Sequence, residues 1–78
     1  MDMSTLEVKM LREMELDQLQ ELLSKLNRGE RLLLSMKYID GLSIKEIENI
    51  LKIGSSAIKM RLKRSREKIL ILHQEKNI

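Results

Sequence analysis

Three times along this chain a small polar residue is followed, three positions later, by glutamate, and apolar residues at helical spacing come next. The stretches are Ser4-Thr5-Leu6-Glu7, Asn27-Arg28-Gly29-Glu30 and Ser43-Ile44-Lys45-Glu46. In such a capping box the first side chain accepts a hydrogen bond from a free N–H of the first helical turn, while the glutamate reaches back to the cap's own N–H. Three helix starts within 78 residues leave little chain for anything else. There is also no Pro, Phe or Trp and one aromatic residue, Tyr38, a composition suited to helices and poor for sheets. The expected fold is all-α, with four or five helices.

The apolar spacing sets the faces. Leu16, Leu19, Leu23 and Leu26 follow the 3, 4, 3 rhythm that stacks side chains on one side of a helix, with Asp17, Gln20, Glu21 and Lys25 off it. A second helix, Arg28 to Ile39, is expected to bury Leu32, Leu33, Met36 and Ile39 and to end at Asp40-Gly41. A third, of about two and a half turns, presents Ile44, Ile47, Ile50 and Leu51. Gly54 can then take positive φ at little cost, and Ser55 or Ser56 can cap a last helix whose stripe is Ile58, Leu62, Ile69 and Leu72, with Ser65 between.

A chain this short hides only about 60 to 65 percent of its unfolded surface, which disfavours a large enclosed active site. Without Cys it can form neither disulfides nor a thiolate metal centre. No apolar run approaches the roughly 20 residues of a membrane span, and the acidic start lacks a signal peptide's order, so a soluble, cytoplasmic protein is expected. The net charge of +3 is unevenly placed. Residues 1–40 carry −2 and residues 41–78 carry +5, and from Lys52 to Lys68 there are seven cations and one acid, Glu67. That clustering calls for an anionic partner.

A short helix from Ser43, a turn at Gly54 and a longer helix from Ser56 make a C-terminal helix-turn-helix, the motif that places its second helix in the major groove of DNA. With Ile58 and Leu62 facing the core, Lys59, Met60, Lys63 and Arg64 fall about 100° to 200° from that stripe and become the candidates for reading bases. Arg64 best suits bidentate donation to guanine O6 and N7. Arg61, Arg66 and Lys68 lie toward the helix sides, where phosphates would be, and the free N–H groups near Ser55 and Ser56 would meet phosphates too. A merely solvated basic face would need acids at i+3 or i+4, and only Glu67 is available to Lys63 and Arg64. A membrane-surface helix would carry aromatic anchors, and this one has none.

The stretch from Leu26 to Leu70 resembles region 4 of a bacterial sigma factor, especially of the extracytoplasmic-function group, and the likeness covers roughly residues 16 to 72. It is carried by Arg31, Gly41-Leu42-Ser43, Glu46-Ile47, Ile50-Leu51, Lys59, Arg61-Leu62, Arg64 and Arg66. Glu48, Lys52 and Asn27 stand where that family has Ala, Gly and Pro, and Ser56-Ala57 where it has Gly-Thr. Since the Ala lets two helices approach closely, Glu48 is expected to splay outward or widen the packing. The resemblance implies a domain of the helix-turn-helix, winged-helix-like class that reads the minus-35 promoter element in double-stranded DNA. Lys59, Met60, Lys63 and Arg64 would then sit at base edges, with Lys37, Lys45, Ser56 and Arg61 nearer the backbone.

The same resemblance implies RNA polymerase core, through its beta flap, and an anti-sigma factor as protein partners. Nothing in the chain resembles region 2, so it reads as one domain of a larger factor or, alternatively, a small free-standing regulator. A protein-interaction module is the reading from a different class, motivated by the Leu-rich helix from Leu16 to Leu26 with Met10 and Met14 beside it.

No enzyme is expected. His73 lacks a Cys, Asp or second His at ligand spacing, Ser55 and Ser56 have no base around them, and the three glycines are isolated, so no metal or cofactor is implied. Tyr38 is expected half-buried with its hydroxyl at the surface. The chain divides into residues 1–15, an N-terminal extension or linker remnant that is partly helical; 16–72, the helix-turn-helix domain; and 73–78, a frayed tail. A monomer is the favoured state.

Overall fold

A computed structural model describes residues 3–76, with side chains from 8 to 75. Helix α1 spans Met3–Glu13 and α2 Leu16–Leu23; α3, Arg28–Leu34, runs without a break into a π-helical segment, Ser35–Ile39; α4 is Ile44–Leu51 and α5 Ser55–Lys76. The fold is all-α, with no strand among the described residues. At 22 residues, α5 is about 33 Å long and serves as the spine against which α1, α2, α3 and α4 pack. No helix among the described residues is long and apolar enough to cross a membrane.

Two of the three predicted boxes close as expected. At α3 the Glu30 N–H donates to Asn27 Oδ1 at 2.9 Å and the Asn27 N–H to Glu30 Oε1 at 3.3 Å. At α4 the Glu46 N–H donates to Ser43 Oγ and the Ser43 N–H to Glu46 Oε1, both at 3.1 Å. The side chains of the box at Ser4 to Glu7 lie outside the described residues.

The core joins Leu11 of α1, Leu19, Leu22, Leu23 and Leu26 around α2, Leu33, Leu34 and Met36 of the second helical run, Ile47 of α4, and Ile58, Leu62 and Ile69 of α5. Four residues expected inside are outside. Leu16 is 55% exposed because it stands at the first residue of α2, past the edge of the packing, and Leu22 and Leu23 are buried in the next turns. Leu32 is 49% exposed because α3 turns Leu33 and Leu34 inward instead. Ile50, at 58%, stands about 60° round α4 from the fully buried Ile47, at the edge of the packed face. Ile39 also sits at the surface: the wider π turn, marked by the Asp40 N–H donating to Ser35 O at 2.9 Å, delays the rotation that would have brought it round.

Left-handed backbone occurs at two described residues. Gly41, with φ of 73°, ends the π segment and lets the Leu42 N–H return to Met36 O at 2.9 Å. The second is Lys52, with φ of 59° and ψ of 39°, closing α4. Gly54, where the sequence suggests positive φ, does not have it, and α5 starts at Ser55, so the cap position belongs to Gly54 rather than to either serine. The Gly54 carbonyl accepts the first bond of α5, from the Ile58 N–H at 3.1 Å.

The N-terminal stretch read as an extension contributes to the core, with Leu11 buried and Met14 packed against it. At the other end, α5 continues through residues expected to fray, and His73 Nδ1 lies 3.1 Å from Gln18 Nε2, tying α5 to α2.

Candidate nucleic-acid interface

Ile58, Leu62, Ser65 and Ile69 recur at spacings of four, three and four and are all buried, so the inward side of α5 is fixed. At 100° per residue the opposite side must carry Met60, Lys63 and Arg64, with Lys59 on one flank and Arg61 and Lys68 on the other. Each of these six side chains is exposed. Ser65 is tolerated inside because its hydroxyl donates to Arg61 O at 2.8 Å, which satisfies a buried polar group within the helix itself.

Lys45 is exposed at the second residue of α4, and Ser56 is exposed in the first turn of α5 with Ser55 half-buried beside it. Lys37, half-buried on the π segment, donates from Nζ to Leu42 O at 3.4 Å, which holds its cation beside the start of α4. Lys68 is turned toward α3, its Nζ 3.2 Å from both oxygens of Glu30, an ion pair at the surface that contributes at most about 1 kcal/mol.

Arg66 is set apart from the other residues expected at phosphates. It is 8% exposed, and its Nη1 donates to Tyr38 Oη at 3.3 Å, because position 66 falls about 80° from Ile58, on the packed side of the helix. The same bond corrects the expectation for Tyr38, whose hydroxyl is engaged between the π segment and α5. Glu48, expected to splay outward or widen the packing, is half-buried on α4 next to the fully buried Ile47.

Two of the open grooves among the described residues flank the first turns of α5. One, about 610 Å³, is bounded by α1, the π segment and α5, and its walls include Arg12, Lys37, Lys59, Lys63 and Arg66. The other, about 410 Å³, lies between the start of α3 and α5 and includes Leu32, Leu51, Arg61 and Arg64. Arg12 was missed from the sequence because its helix sits outside the helix-turn-helix pattern; only the packing of α1 on α5 brings it to this side.

The electrostatics of the site are set by spacing. Glu46, in the first turn of α4, is drawn into its cap, where the Ser43 N–H and then the Ser43 hydroxyl hold its carboxyl below the ordinary range, with Lys37 adding a smaller pull. No cluster of three or more metal-ligating side chains occurs among the described residues.

A short helix, a tight turn and a longer helix with its apolar side in the core and its cations outward define an all-α domain of the helix-turn-helix class. The family model of sigma-70, region 4, matches residues 16–69, and the chain belongs to that family. Its members are promoter-DNA-binding, non-catalytic domains of sigma factors, which work with RNA polymerase. Comparison with curated proteins and with solved structures finds no match.

Proposed function

We propose that this domain reads the minus-35 promoter element in the manner of extracytoplasmic-function sigma factors, with the first three turns of α5 in the major groove. The observation that carries the reading is the exposed face formed by Lys59, Met60, Lys63 and Arg64, directly after the turn and free of acids up to Glu67. Arg64 donates to guanine edges, Lys59 and Lys63 to neighbouring acceptors, and Met60 makes apolar contact with a thymine methyl. Lys37, Lys45, Arg61 and the first-turn N–H groups at Ser55 and Ser56 take phosphates, which fix register without specifying sequence. Lys68 joins them on release from Glu30, while Arg66 supports the interface from within by holding Tyr38.

Fluorescence anisotropy on minus-35-like and scrambled duplexes over a salt series tests this. Steep salt dependence together with sequence preference is the expected result. Unchanged affinity for every duplex after Arg64→Ala and Lys59→Ala would sink the reading.

A second reading, contact with the polymerase flap or an anti-sigma factor, draws on exposed Leu32 beside the groove between α3 and α5. The Leu-rich α2 no longer argues for it, because Leu19, Leu22, Leu23 and Leu26 are used in the domain's own core. Leu32→Ser, which removes the apolar side chain without adding charge beside Arg61 and Arg64, should weaken binding to polymerase core while leaving duplex affinity unchanged.

A further inference from the structure

An α-helix with its side chains is about 10–12 Å across, and the major groove it enters is about 12 Å wide, so a recognition helix is bordered by a sugar-phosphate strand on each flank. On one flank of α5 stand Arg61 and Lys68, both on α5 itself. The other flank, at Lys59 and Lys63, opens into the groove of about 610 Å³, and two further cations reach it from elsewhere in the fold, Lys37 on the π segment and Arg12 on α1. Among the described residues no carboxylate lines this groove. Val8 and Arg12, four residues apart, both line it, so that side of α1 faces the groove while Leu11 enters the core.

We infer that the groove between α1, the π segment and α5 is a phosphate-binding site for one strand of the bound duplex, with Arg12 as a DNA-backbone contact supplied from outside the helix-turn-helix. The inference rests on the major-groove reading of α5 proposed above. It extends the interface beyond residues 16–69, the part that matches the family model, to a helix that the sequence presents as a mere extension. Arg12 is exposed, and its guanidinium offers paired donors with the geometry of a phosphate's oxygens. The other cation of α1, Lys9, is instead set against Glu13 at 4.0 Å, away from this groove.

The test compares the full chain with Arg12→Ala, Arg12→Lys and, as an equal loss of charge at an exposed site elsewhere, Lys25→Ala, by anisotropy on one preferred and one scrambled duplex across a salt series. Circular dichroism establishes that each variant keeps its helix content. Losing one phosphate contact lowers the slope of log affinity against log salt by about 0.9, which corresponds to about eightfold weaker binding at 0.1 M salt. Arg12→Ala should show that loss equally on both duplexes, Arg12→Lys should keep the slope, and Lys25→Ala should behave like the parent. If Arg12→Ala matches Lys25→Ala while Lys59→Ala and Arg64→Ala still weaken binding, the groove is no phosphate site and the recognition-helix reading stands. If Lys59→Ala and Arg64→Ala also leave affinity unchanged, both proposals fall. Weaker binding of Arg12→Ala on only one of the duplexes would assign Arg12 to base readout and would overturn the backbone contact.

Discussion

Lys52 closes α4 in the left-handed conformation, with φ of 59° and ψ of 39°, at a position where a glycine would fit without strain. For an L-residue with a Cβ this conformation costs roughly 1–2 kcal/mol, from the approach of Cβ to the following carbonyl oxygen. Lys52→Gly removes that cost and adds back about 0.4–1 kcal/mol of unfolded-chain entropy. Lys52 is exposed, and its backbone bond to Glu48 O at 2.8 Å needs only the N–H, which glycine keeps. The net expectation is therefore a stabilisation of about 0.5–1 kcal/mol.

For a domain of this size, that amounts to a rise in melting temperature of about 2–8 °C, read as thermal unfolding by circular dichroism at the helix band. Helix content before melting should not change. A melting temperature that falls with Lys52→Gly would refute the reasoning, because it would mean that the Lys52 side chain contributes more than its backbone conformation costs.

Gly41 and Gly54 should respond differently to alanine, although neither would bring a new Cβ within 4 Å of anything. Gly41→Ala, at φ of 73°, should destabilise by about 1–2 kcal/mol, while Gly54→Ala, with no positive φ to strain, should stay within about 0.5 kcal/mol of the parent in the same thermal scans, because the weaker capping of alanine offsets its gain in unfolded-chain entropy. Ile58→Ala, at a fully buried position, should cost about 2–5 kcal/mol by urea titration, and a loss under 1 kcal/mol would mean that the core closes around the cavity. The Glu46 carboxyl titrates lower in the folded chain than unfolded, so its contribution is present above about pH 4.3 and is lost as pH falls through the folded value. Parent and Glu46→Gln should therefore differ in stability near neutral pH and converge in acid; a gap that stays constant down to pH 3 would rule the cap out as its source.

Helix starts were legible in the sequence because a capping box is a local bargain between residues three apart, and Asn27 with Glu30 and Ser43 with Glu46 close it whatever surrounds them. The outward face of α5 was legible for the same reason: once Ile58 and Leu62 point inward, the helical repeat alone turns Met60, Lys63 and Arg64 away. Only the tertiary structure decided which leucines of each helix are buried, since Leu22 and Leu34 are covered by neighbouring helices and Leu16 and Leu32 are not. It also decided that Lys52 rather than Gly54 takes the left-handed turn, because the path from α4 to α5 sets the backbone at each residue between them. The fates of two arginines belong to it as well. Arg66 lies far along α5, where the π segment covers the helix and offers Tyr38, and Arg12 reaches the basic groove only because α1 packs against α5, a long-range contact that no local spacing encodes.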